Sequence, residues 1–180
     1  DLKNWTFKIA SLNFEKPATL PHTWNVDDDK AVQLYRGAAE YSSDVELGDM
    51  ADKLVRLYFG CAYHTCNLYV NGHLAGWHTG SGNTPFEFDV PRFLHAGTNH
   101  LRVDVDNLSK AEILPHELHY DWADDGGLTR DVILTIGAQD DIFGVNLAQH
   151  IEGAGVYDLI MLQAVYLCSA DAIILVKFVL

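Results

Sequence analysis

The 180-residue chain carries 12 Lys and Arg against 25 Asp and Glu, a formal net charge of −13, with 48% hydrophobic and 11% aromatic residues. That apolar content can bury a core and excludes a disordered chain. The acidic excess leaves no basic stripe for phosphates and repels an anionic bilayer, which excludes nucleic acid and a membrane surface as partners.

The start, Asp1-Leu2-Lys3-Asn4-Trp5, has no basic stretch followed by an apolar run, so no signal peptide is expected. It also lacks an initiator Met and reads as a trimmed or engineered start. The localisation therefore stays open between a periplasmic or secreted protein after signal removal and a cytoplasmic one, soluble in either case. Beyond it, the first hundred and thirty-odd residues read as all-β, with short alternating runs punctuated by Gly, Asn, Asp and Pro. Leu54–Phe59 is a strand. Asn67–Val70 leads into Asn71-Gly72, a pair that tolerates positive φ at both central turn positions and predicts a hairpin. Phe86–Val90 alternates with Phe86, Phe88 and Val90 on one face. Gly97-Thr98-Asn99 makes a turn before His100–Asp106, where Leu101, Val103 and Val105 point inward. Asp131–Ile136 is a further strand. No sustained 3.6-residue period interrupts this series, so a β-sandwich or jelly roll is expected.

Cys61, Cys66 and Cys168 are an odd set without zinc-knuckle spacing, read as small buried hydrophobes. From Val156 to Leu180 the sequence is mostly apolar. Asp158, Gln163, Asp171 and Lys177 break it, leaving no clean span of about 20 apolar residues for a bilayer. Two strands, or a strand and a short helix, are expected there. Such an end needs covering, by the sandwich or by another chain, and a homo-oligomer through it is one reading.

Four blocks stand out in order: Leu20-Pro21-His22-Thr23-Trp24-Asn25; Val70-Asn71-Gly72 through Gly76; Thr84-Pro85-Phe86-Glu87-Phe88-Asp89-Val90 with Gly97-Thr98-Asn99; and Asp121-Trp122-Ala123-Asp124-Asp125-Gly126-Gly127-Leu128-Thr129-Arg130-Asp131-Val132. Each has a physical reading. Pro85 can start a strand but not sit inside a ladder. Gly126 and Gly127 let backbone pass close to another group or take positive φ. Arg130 at a strand entrance can hold a neighbouring loop by bidentate bonds to a carboxylate or to carbonyls, so Arg130 and Asp131 are read as structural.

Together the blocks resemble the N-terminal sugar-binding domain of glycoside hydrolase family 2, the β-galactosidase and β-glucuronidase group, over roughly residues 5–136. The resemblance implies a galactose-binding-domain-like jelly-roll sandwich at 1–136. Residues 137–180 would be a linker and the truncated start of an immunoglobulin-like second domain, a tail packed on the first, or an altered reading of the gene. It also implies a parent that hydrolyses O-glycosidic bonds with retention, using two carboxylates about 5–5.5 Å apart on a later barrel. That barrel would lie outside these 180 residues, making the fragment non-catalytic. The expected partners are carbohydrate and the remaining domains of the parent.

The family places an acidic residue, nine positions before the Arg of the closing block, on the substrate sugar; here that is Asp121. The alternative is a loop carboxylate in water or capping a turn. Trp122 either stacks on a sugar face or packs into the core or loop. Two other functions stay open: an autonomous carbohydrate-binding module, favoured by exposed aromatics such as Trp77 or Trp122, and a structural or oligomerising sandwich. Pro115-His116-Glu117-Leu118-His119 is not a zinc motif and reads as a surface loop. The clusters Asp27-Asp28-Asp29, Asp124-Asp125 and Asp140-Asp141 read as solvated. No catalytic residue, metal site or cofactor is expected; a structural calcium would need convergent oxygens that the sequence does not demonstrate.

Overall fold

The computed structural model describes residues 1–80, 82–108, 125–138, 145–146, 164–166 and 173–174. Nine strands are described within the first 138 residues: β1 (Asn4–Ile9), β2 (Phe14–Thr19), β3 (Ala38–Leu47), β4 (Lys53–Phe59), β5 (Thr65–Val70), β6 (His73–His78), β7 (Phe86–Asp89), β8 (Gly97–Asp106) and β9 (Val132–Ala138). One helical turn, α1 (Lys30–Gln33), is capped by the Asp29 carboxylate, which accepts from the Ala31 and Val32 N–H groups. The strands form a six-stranded sheet, β2-β1-β3-β8-β5-β6, and a three-stranded sheet, β7-β4-β9. This is the expected all-β sandwich, which belongs to the jelly-roll class.

Alternation explains which faces meet. In β8, Asn99, Leu101, Val103 and Val105 are buried while Thr98 and His100 are exposed. In β1, Trp5, Phe7 and Ile9 point the same way. From the second sheet, Val55, Leu57 and Phe59 complete one core with them and with Trp24, Tyr41, Leu68 and Leu128. Each fully buried aliphatic or aromatic side chain contributes roughly 1.5–3 kcal/mol of transfer free energy.

The predicted hairpin forms. Asn71 (φ 51°) and Gly72 (φ 81°) are the two turn residues between β5 and β6. Around it lies a closed polar network that ties two sequence blocks together. Asn71 Nδ2 donates to the Phe93 carbonyl (2.9 Å) and to Asn99 Oδ1 (2.8 Å), and Asn71 Oδ1 accepts from His100 N (2.9 Å). Asn99 is fully buried; its Oδ1 also accepts from His95 N, and its Nδ2 donates to the His95 and Gly97 carbonyls. One correction follows: Gly97, Thr98 and Asn99 are the first residues of β8 rather than a turn before it.

By backbone proximity the chain forms two units, residues 1–51 with 55–135, and residues 52–54 with the segment from 136 onward. In the second unit, β10 (Val145–Asn146), β11 (Ala164–Tyr166) and β12 (Ile173–Ile174) make a three-stranded antiparallel sheet of their own. Among the described residues no helix is long and apolar enough to cross a membrane.

Candidate functional site

The first and last sequence blocks meet at one end of the sandwich. His22 N donates to the Leu128 carbonyl (2.8 Å), Trp24 N to that of Gly126 (3.1 Å), and Tyr63 N to that of Gly127 (3.1 Å). Residues 126–128 are thus clamped from both sides, and all three of their carbonyls are used.

The glycines are required by what lies against them. A Cβ on Gly126 would sit 2.0 Å from the Trp24 ring, and one on Gly127 would sit 2.5 Å from the Tyr41 hydroxyl and 2.6 Å from the His22 carbonyl. Gly127 also has φ of 128°, which L side chains rarely adopt. Trp24 is fully buried, stacks on Phe7 (5.8 Å between centroids) and donates from Nε1 to the Tyr35 carbonyl (3.0 Å).

Beside them, His22 Nδ1 lies 2.7 Å from the Tyr41 hydroxyl, to which the Leu128 backbone N–H donates. Burial pushes the tyrosine pKa up, so the hydroxyl keeps its proton. Burial first, and Lys16 second, lower the pKa of His22, while Asp27 partly offsets them. A neutral ring next to a protonated phenol assigns Tyr41 as donor and His22 Nδ1 as acceptor, with the imidazole proton on Nε2. Asp27 is itself paired with Lys16. Burial opposes ionisation of Asp27, but the bonds from Lys16 and the Asp29 N–H hold its carboxyl below the usual range.

A second clasp closes the base. Asn107 is fully buried; its Oδ1 accepts from Gly37 N (2.9 Å) and its Nδ2 donates to the Asp125 carbonyl (3.4 Å). One amide thus links residues on the two sides of segment 109–124. Cys61 adds a third tie. Its thiol donates to the Gly82 carbonyl and accepts from Thr129 Oγ1 (2.9 Å). Burial raises its pKa, with Thr129 and Arg130 opposing, and pushes that of Cys66 up to about 12. Both thiols are buried and free, as their reading as small hydrophobes requires.

Asn71, Gly72, Gly126, Gly127 and Asp131 all sit in structural junctions. The Asp131 carboxylate pairs with Lys3, and its carbonyl accepts from Gly60 N (2.9 Å). Arg130 is exposed and its stem lies against Gly60; the loop it was expected to hold, 109–124, lies outside the described residues. Asp121, Trp122, the Pro115–His119 stretch and Cys168 lie outside the described residues. The His22–Tyr41 pair, Asn107 and the Cys61–Thr129 link were not anticipated. Each joins residues distant in sequence, and only the order of the blocks hints at the first.

Residues 4–137 match the sugar-binding domain of the glycosyl hydrolases family 2. The chain is 33% identical over 137 residues to a provisionally assigned β-glucuronidase of Formosa agariphila, covering 74% of this chain and 16% of that protein. It is 28% identical over 172 residues to a β-galactosidase of Thermoanaerobacterium thermosulfurigenes, covering 86% and 23%. A solved β-D-glucuronidase structure of Dictyoglomus thermophilum superimposes with a TM-score of 0.73 at 22% identity, over 85% of this chain and 30% of that one, a likeness of fold. The chain therefore spans less than a quarter of the length of these curated relatives. With four ordered blocks, a jelly-roll sandwich and a match over residues 4–137, the chain belongs to glycoside hydrolase family 2 through its sugar-binding domain.

Proposed function

We propose that residues 1–136 are a non-catalytic module of a retaining β-galactosidase- or β-glucuronidase-like enzyme, presenting the 109–124 segment to the rim of a sugar-binding pocket. The observation that carries this reading is the anchoring of the residues that flank that segment: Asn107 bonded to the Asp125 carbonyl, and Gly126-Gly127 locked against Trp24, Tyr41 and His22. A sandwich needs no such anchoring to close a simple turn, whereas a loop that must present a side chain accurately does. In this reading Asp121 accepts from sugar hydroxyls, ionised acceptors making the stronger bonds, and Trp122 lies beside it. The carboxylate pair for chemistry belongs to another domain. The segment from 137 onward is the opening of the next domain. Supporting this, the alignment with the Thermoanaerobacterium β-galactosidase covers more of the chain than residues 4–137 span.

The 180-residue chain is expected to give no turnover of chromogenic β-galactosides or β-glucuronides; a protein-dependent rate would overturn the non-catalytic assignment. In the full-length enzyme, Asp121→Ala is expected to raise KM and lower kcat/KM by about 10- to 100-fold, the loss of one charged hydrogen bond. Unchanged kinetics would remove Asp121 from the pocket.

A further inference from the structure

The outer face of the six-stranded sheet carries a second feature of a different kind. Cross-strand register sets two adjacent rows there. One is Trp77, Asn67, Asp104 and Glu40; the other is Leu74, Tyr69, Arg102 and Ser42. Trp77 is 68% exposed and Leu74 50%, whereas their inward-facing neighbours Leu68 and Val70 are fully buried. The Arg102 guanidinium lies 4.0 Å over the Tyr69 ring and faces both oxygens of Asp104 at 3.2 and 3.3 Å. Three side chains thus brace one another. The Asn67 side chain, exposed between Trp77 and Asp104, makes no hydrogen bond with any described residue.

We propose that this face is a carbohydrate-binding site separate from the 109–124 segment, taking a neutral pyranoside chain with Trp77 as the platform and Asn67, Asp104 and Arg102 as the polar contacts. A pyranose offers a C–H face to the negative face of an aromatic ring, and Trp presents the widest such face. Its equatorial hydroxyls both donate and accept, matching an uncommitted amide next to a carboxylate and a guanidinium already held in place.

Charge selects the sugar. Asp104 and Glu40 lie side by side, and Asp104 titrates high because of burial with Glu40 adding to it, although Arg102 opposes. A uronate would add another anion here, so the site favours uncharged sugars. A protein partner fits less well. A standard interface covers about 800 Å² per partner around a charge-depleted centre. Here the apolar groups occupy one margin, on the terminal strand β6, beside a charged centre.

The test is affinity gel electrophoresis of the 180-residue chain through gels containing galactan, galactomannan or xyloglucan, with polygalacturonate as the acidic comparison. Retardation by at least one neutral glycan and not by polygalacturonate is expected. Trp77→Ala should weaken it at least about tenfold, and Asn67→Ala several-fold, while Trp77→Phe should keep part of it. Because Trp77 and Asn67 are exposed, the unfolding midpoint should stay put in all three. Absence of retardation on every neutral glycan, or retardation that survives Trp77→Ala, overturns the proposal. So does retardation lost in Asp121→Ala instead, which would assign the sugar to the 109–124 segment. A dimer in sedimentation that Trp77→Ala dissolves would mark the face as a contact between copies and also sink the idea.

Discussion

Two junctions in this sandwich are built from the same kind of material, small polar residues and glycines in recognisable blocks, yet they do different things. At the hairpin end, Asn71 and Asn99 close on each other and on nearby backbone, and every partner lies within the junction itself. At the pairing of the first and last blocks, Gly126-Gly127, His22, Tyr41 and Asn107 fasten the residues that flank segment 109–124. The first kind of junction completes a fold. The second fixes the two flanks of segment 109–124 to the scaffold, and block resemblance alone does not distinguish them.

The largest effect is expected at the second junction. Gly126→Ala drives a methyl into the Trp24 ring in a fully packed core and should cost about 3 kcal/mol, near the upper end for overpacking. Urea unfolding would register it; a midpoint shift of less than one kcal/mol equivalent would mean that the Trp24 wall yields. At the hairpin junction, Asn99→Ala strands the His95 N–H and one Asn71 donor in a buried setting. A loss of about 2 kcal/mol is expected, without any change in whatever the 109–124 segment binds. A matching loss of ligand affinity would erase the contrast drawn above.

A smaller, pH-dependent effect sharpens it further. The folded-state pKa of His22 lies below its unfolded value of 6.5. As pH falls below that value the unfolded chain takes up a proton that the folded chain resists, so stability declines on acidification and the contribution is fully present above it. His22→Gln should flatten this part of the stability curve, as followed by denaturation at pH 7.5 and pH 5. An unaltered slope would show that His22 is not the responsible group. Smallest of all, Arg130→Gln should change stability by less than about 0.5 kcal/mol, as for an exposed surface residue. A loss well above that would mean that its guanidinium braces segment 109–124.

Much of the fold could be read from the chain because alternation is local. β7 and β8 declare their inner faces residue by residue, and Asn71-Gly72 states its own turn. β2 could not be read this way: Glu15, Lys16 and Pro17 suit an edge strand that pairs on one side only, and that role is set by β1 rather than by its own residues. β3, with Ala38, Ala39, Ser42 and Ser43, has weak β-propensity and is fixed by neighbours on both sides. The site divides in the same way. Gly126 and Gly127 were legible as places of close approach, but what approaches them, Trp24 and Tyr41, comes from about a hundred residues earlier. Arg130 reads as a brace from its position at a strand entrance, but position alone does not say which partner a flexible side chain finds.

The Asn107 clasp has a consequence for how this domain can change. When the residues flanking a segment are fastened by one amide and a pair of glycines, the length and composition between them become nearly independent of the scaffold. Doubling such a segment adds only about 0.6 kcal/mol of closure entropy. The stem is in effect a socket. Replacing residues 109–124 with segments of other lengths, while keeping Asn107 and Gly126-Gly127, should leave the sandwich folded. Under the proposed function, sugar preference would then diversify by exchange of this segment, much as antibodies diversify on an unchanging frame.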